Sequence, residues 1–216
     1  MRRETSTVVV LAGQVTDGLL AGIARFPNVA VVRAPATGTA DAAGDRPAWE
    51  QGARAMREAA HRRSTYVIVP DDPLAGVAAS WRAMWDVPGH GAAEFEQQAA
   101  QVLAAWRGKQ FDLPDYYLVM APATGGETGP DLYLGPLRAA RPRRVAVTGV
   151  AAARSAAASS AVAGVADGAQ QAERVLDTLR VLEHGPWWPP LDELVDSART
   201  FYAGGLTETQ TSAVNR

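Results

Sequence analysis

Near its start the chain reads Thr7-Val8-Val9-Val10-Leu11-Ala12, an unbroken apolar run rich in β-branched residues. A half-exposed strand alternates apolar and polar side chains, so a continuous run of this kind is typical of a strand buried on both faces. Four later runs share this character: Val29-Ala30-Val31-Val32-Arg33, Thr65-Tyr66-Val67-Ile68-Val69, Tyr116-Tyr117-Leu118-Val119-Met120 and Arg144-Val145-Ala146-Val147-Thr148. The pattern predicts parallel strands that lie between two layers of helices.

Most segments between these runs have helical periodicity; one example is the apolar face formed by Leu74, Val77, Trp81 and Trp85. We therefore predict a three-layer, doubly wound α/β fold, Rossmann-like or flavodoxin-like, with a mainly parallel five-stranded sheet. The expected organisation is an α/β domain over 1–167, a C-terminal helical extension over 168–206 on the same core, and a flexible tail over 207–216. Residues 151–166 suit either a helix or a flexible connection, and Gly204-Gly205 is expected to end the last helix.

Composition excludes several classes of function. The 216 residues include 47% hydrophobic residues, enough for one folded core, and carry a formal net charge of −2. This charge argues against nucleic acid or an anionic membrane as a partner. The chain has no cysteine, which excludes disulfides and thiolate metal sites. The first apolar run is too short for a signal peptide or a membrane span, so we expect a soluble, cytoplasmic protein.

In open parallel sheets, ligands bind beyond the carboxyl ends of the strands, so the residues after each run form the candidate site. The first loop offers Gly13, Thr16, Asp17 and Gly18. Glycine lets backbone amides approach a phosphate, and a helix N-terminus favours negative charge. The loop nevertheless lacks the lysine and hydroxyl residue of a P-loop, and an ordinary helix N-cap at Thr16 or Asp17 explains the same residues.

Arg33, at the end of the second run, is either a contact for a ligand phosphate or a surface arginine. After the third run, Asp71 and Asp72 stand between Pro70 and Pro73. Paired carboxylates at this edge suit a Mg²⁺ ion with a phosphorylated ligand, or a general base and its orienting group. The alternative is a structural turn in which Asp72 caps the helix that opens at Pro73.

The last two loops supply weaker candidates. After the fourth run, Thr124 and Glu127 are polar contacts for a ligand in a glycine-rich loop, or part of a plain surface excursion. After the fifth run, Thr148, Arg154 and Ser155 offer hydroxyls and a cation. Ser155 lacks the G-x-S-x-G turn of a nucleophilic serine.

Two further features lie outside the strand ends. His90, in a loop after a tryptophan-bearing helix, is a candidate for acid–base catalysis or an ordinary loop histidine. Trp187 and Trp188, followed by two prolines, form either a contact for a protein partner or second copy, or the packing of the C-terminal helix.

These features predict a small-molecule or nucleotide-binding protein with its ligand at the carboxyl edge of the sheet, whether or not it is an enzyme. One alternative is a metal-assisted enzyme, with Mg²⁺ as the candidate cofactor, that uses Asp71 and Asp72 on a phosphorylated or glycosidic substrate. Another is a non-catalytic interaction subunit that binds through its tryptophan-rich helices.

Overall fold

The computed structural model describes residues 6–34, 47–86, 91–120, 131–148 and 161–214. The strands are β1 (Thr7–Gly13), β2 (Val29–Val31), β3 (Tyr66–Val69), β4 (Tyr116–Met120) and β5 (Val145–Thr148). The helices are α1 (Asp17–Ile23), α2 (Ala48–Ala59), α3 (Ala75–Asp86), α4 (Ala92–Arg107), α5 (Arg138–Ala140), α6 (Ala161–Arg180) and α7 (Leu191–Val214), with a π-helical turn at Tyr133–Leu137.

The five strands form one parallel sheet in the order β2-β3-β1-β4-β5. β1 lies at the centre, where Val9 pairs with Ile68 of β3 and Leu11 pairs with Leu118 of β4. These central residues are almost fully buried. The predicted five-stranded parallel sheet is therefore confirmed; its central strands are buried on both faces, whereas Val147 of the edge strand β5 is exposed.

Helices cover both faces of the sheet. Val9 and Leu11 of β1 pack in one apolar cluster with α1 and α6, while Val8 and Val10 pack in a second cluster with α2, α3, α4 and α7. The contact between α1 and α6 depends on small residues, because a Cβ atom on Gly168 would lie 2.7 Å from the carbonyl carbon of Gly18. The predicted three-layer architecture is thus confirmed.

The structure departs from the expected helix boundaries in two places and adds one element. α6 begins at residue 161, inside the segment that the sequence left open. α7 continues through Gly204 and Gly205, so the expected helix end there is wrong. Two glycines cost a helix only about 1 kcal/mol each, and no proline follows to stop it. The π-helical turn at Tyr133–Leu137, which contains Pro136, had no counterpart in the sequence prediction.

Across the described parts of the chain, no helix is both long and apolar enough to cross a lipid bilayer.

Candidate functional site

The carboxyl end of β1 lies where the chain changes sides of the sheet. The helix after β1 packs on one face, whereas the elements after its neighbours β3 and β4 pack on the opposite face. In parallel α/β sheets such a switch point opens a crevice beyond the strand ends. β1 has this arrangement on both sides.

Gly13 closes β1 at this edge. It is exposed and has a φ of +98°, a conformation that side-chain-bearing residues rarely adopt. A Cβ atom here would lie 2.8 Å from the carbonyl oxygen of Met120 on β4. The position therefore requires glycine and leaves the main chain of β1 uncovered at its carboxyl end.

The loop after Gly13 leads directly into α1. The Thr16 hydroxyl accepts a hydrogen bond from the Leu19 amide (3.2 Å), so the N-cap suggested by the sequence is present. Leu19 and Leu20, which stand where a P-loop would carry lysine and serine or threonine, are buried in the core. A bound phosphate at this loop would therefore have no lysine from the start of α1.

Asp17 and Arg33 meet at the same edge. Their side chains form an ion pair and remain 89% and 53% exposed, respectively. The structure thus brings together two candidate ligand-binding residues, one after β1 and one after β2. Because both groups are largely in water, the pair adds little stability, and either partner is free to exchange the other for a ligand group.

Asp71 joins the exits of β2 and β3. One carboxylate oxygen accepts the backbone N–H of Ala34 at 2.7 Å, and the other accepts the side-chain amide of Gln51 at 3.0 Å. This half-buried carboxylate therefore holds the chain after β2 and the start of α2 against the end of β3.

Asp72 points in another direction, into the core beside β4. Its Oδ1 accepts hydrogen bonds from the Leu74 amide (2.9 Å) and the Tyr117 hydroxyl (3.3 Å), and its Oδ2 accepts one from the Tyr133 hydroxyl (2.5 Å). The bond to Leu74, one residue beyond Pro73, closes a short turn just before α3 begins at Ala75. The structural turn suggested by the sequence is thus present, with two tyrosine partners, and the main-chain bond of Asp72 lies before the helix and not in its first turn.

Burial dominates the electrostatics of this group. Removal from water raises the pKa of Asp72 to about 6, and the hydrogen bonds from Tyr133, Leu74 and Tyr117 offset only part of that effect. Burial, together with the nearby carboxylate, also raises the pKa of Tyr117 and of Tyr133 well above the ordinary value. Both tyrosines therefore remain neutral hydrogen-bond donors at physiological pH.

The adjacent carboxyls of Asp71 and Asp72 thus have separate sets of partners. In the part of the chain that the structure describes, no three histidine or acidic side chains are grouped so that they could hold a metal ion. The geometry therefore lends no support to Mg²⁺ at this pair.

The remaining candidates are distributed as follows. Thr148 ends β5, pairs with Met120 of β4 and is buried. Gly18 lies against Gly168 of α6. His90, Thr124, Glu127, Arg154 and Ser155 lie outside the described residues.

Sequence reasoning missed the two tyrosines that hold Asp72. Tyr117 lies inside an apolar strand, and a buried phenol hydroxyl usually has a hydrogen-bond partner. Its position in the sequence therefore indicated that a polar group lies nearby in the core. Tyr133 lies in a segment with no predicted element, and no local pattern connects it to residue 72.

The tryptophan pair at the other end of the sheet divides into a buried and an exposed residue. Trp188 is buried, and its Nε1 donates to the Pro114 carbonyl at 2.7 Å. The Trp187 side chain is 46% exposed. The packing interpretation therefore fits Trp188 but leaves the Trp187 ring at the surface.

No protein-family model, curated protein or solved structure matches this chain. A function must therefore be argued from the geometry and chemistry of its own residues.

Proposed function

We propose that this protein binds a small organic ligand, with nucleotides the first class to test, at the carboxyl edge of the sheet beside β1. The observation that carries the proposal is the change of helix face on both sides of β1. Ligands of open parallel sheets bind at such a switch point, because the diverging connections leave room beyond the strand end.

The polar groups around that point support an anionic ligand with hydroxyl groups. Arg33 is a donor for a phosphate or carboxylate, and Asp17 is an acceptor for ligand hydroxyls. Gly13 leaves main-chain groups accessible between them and the end of β4. The start of α1 offers buried Leu19 and Leu20 where a P-loop carries its lysine. In this proposal Arg33 therefore supplies the positive charge that binds the ligand's phosphate.

The metal-assisted enzyme has weaker support. Asp72 is only 6% exposed, and three hydrogen bonds from the protein already occupy its carboxyl oxygens. A substrate at the edge would meet Asp71 before it met Asp72.

A binding screen tests the proposal. Isothermal titration calorimetry with ATP, ADP, GTP, NAD⁺, NADP⁺ and sugar phosphates, each with and without Mg²⁺, should identify a saturable ligand. The Arg33→Gln variant should weaken its binding about tenfold or more, since a hydrogen bond to a charged group contributes roughly 1.5–3 kcal/mol.

Arg62→Gln is the matched control, because the Arg62 side chain is also 53% exposed and is also paired with an acid, Glu58. Affinity should be unchanged in this variant. The proposal fails if no member of the panel binds, or if both substitutions weaken binding equally.

A further inference from the structure

The amino edge of the sheet, opposite the proposed ligand site, carries an exposed aromatic side chain in a fixed position. Trp187 lies in the segment that leads from α6 to α7, and its carbonyl accepts a hydrogen bond from Arg141 Nε at 2.6 Å. Its ring lies 4.7 Å from the guanidinium carbon of Arg144, which also stacks on Tyr116. One arginine thus holds the backbone of Trp187 and another contacts its ring, while Trp187 is 46% exposed.

Arginine is frequent in the segment just before β5. Residues 138–144 contain Arg138, Arg141, Arg143 and Arg144 and no acidic residue. Arg144 stacks on the Trp187 ring, and Arg141 bonds to the Trp187 backbone. Two acids lie close to these arginines: Glu183, which pairs with Arg143 at 3.2 Å, and Asp115, whose carbonyl accepts from Arg144. The surface formed by Trp187 and the four arginines, called the Trp187 patch below, therefore has an excess of positive charge.

Trp187 is 46% exposed, so its indole offers an apolar surface beside these arginines. Rigid tryptophan and arginine side chains are enriched among residues that dominate protein interfaces, because ordering them on binding costs little further entropy.

We propose that the Trp187 patch binds an acidic peptide segment of a partner protein, with an apolar side chain of that segment on the indole and its carboxylates on the exposed Arg138 and Arg143. Charge complementarity selects this occupant, since the patch is positive on a chain whose formal net charge is −2. The inference is independent of ligand binding at the opposite edge.

The small size of the patch favours a peptide over a nucleic acid. Its four arginines lie in one short segment, residues 138–144. Nucleic-acid affinity comes mainly from many phosphate contacts, which this small patch does not provide.

Peptide display on the full-length protein tests the proposal. A random dodecapeptide library is selected on the parent protein, with counter-selection on a Trp187→Ala/Arg143→Glu double variant. Enriched sequences should combine several Asp or Glu residues with an aliphatic or aromatic residue. A synthetic enriched peptide should bind Trp187→Ala about tenfold or more weakly than the parent, the loss typical of an interface hot spot.

Arg107→Glu is the matched control for Arg143→Glu, because both arginines are 62% exposed and each pairs with one acid. Only Arg143→Glu should weaken the peptide. Trp187→Phe, which keeps an aromatic ring on Arg144, should retain most of the binding and guards against a fold defect in Trp187→Ala.

Four results would overturn the inference. Two come from the selection: no enrichment of acidic sequences, or enriched peptides that bind Trp187→Ala as well as the parent. The third is a dimer of the parent, seen by light scattering, that Trp187→Ala dissociates, because a second copy then covers the patch. An oligonucleotide that binds the parent at physiological salt and is lost in Trp187→Ala would assign the patch to nucleic acid.

Discussion

At the scale of single residues, Asp72 brings a titratable group into the core. Its folded-state pKa of about 6 exceeds the ordinary value of 3.8, so the folded protein holds this proton more tightly than the unfolded chain. The resulting stabilisation is fully present below pH 3.8 and is lost as the pH rises to about 6, at a cost of about 3 kcal/mol. Asp72→Asn removes the ionisation, so its free energy of unfolding relative to the parent should rise by about that amount between pH 4 and pH 8.

Urea denaturation of both proteins across this pH range measures the difference. The pKa of Glu96 is lowered mainly by its hydrogen bond from Arg199. This carboxylate is present in both proteins, so its contribution to the pH dependence cancels in the difference between them. Tyr133→Phe keeps the carboxyl of Asp72 but removes a hydroxyl that stabilises its ionised form, so the pKa of Asp72 rises further and the loss of stability should continue to a higher pH than in the parent. A difference between Asp72→Asn and the parent that stays constant with pH would show that this carboxyl does not titrate as described.

At the scale of elements, the approach of α2 to the turn before α3 depends on Gly52. A Cβ atom there would lie 2.2 Å from the Pro73 nitrogen and 2.5 Å from the Asp72 carbonyl carbon, and neither backbone atom can move aside alone. Gly52→Ala should therefore destabilise the protein by about 1–3 kcal/mol, even though alanine is the better helix former. Gly204→Ala is the control, because no atom lies within 4 Å of its added Cβ. Thermal melts should show a lower Tm for the first variant and an equal or higher one for the second.

The elements also show what the sequence could and could not predict. Continuous apolar runs predicted all five strands, because strands between two layers of helices are mostly apolar in composition. The N-cap at Thr16 and the turn closed by Asp72 were among the predicted alternatives, since both depend on neighbouring residues. The bond between Asp72 and Tyr133 spans 61 positions, and the strand order that permits it is set by packing of the whole chain.

At the scale of the whole molecule, the chain must pass from α6 on one face of the sheet to α7 on the other. It does so around the amino edge, where Arg144, just before β5, donates to the carbonyls of Gly185 and Pro186 in the crossing segment and to that of Asp115 before β4. Trp188 adds a bond from its indole to Pro114 on the same side. One buried guanidinium therefore ties the C-terminal helix to two strands.

Lysine at position 144 would keep the charge but lose the planar fork and the stacking between Tyr116 and Trp187. Arg144→Lys should lower the free energy of unfolding by about 2–4 kcal/mol, because three partly buried hydrogen bonds to carbonyls lose the planar donor that makes them. Arg143→Lys should change it by less than about 0.5 kcal/mol, because the Arg143 side chain is exposed and forms only a surface ion pair with Glu183. Urea unfolding of the two variants compares adjacent arginines that differ in burial. Equal losses of stability would mean that the crossing around the amino edge is held by packing of α7 alone, without the guanidinium of Arg144.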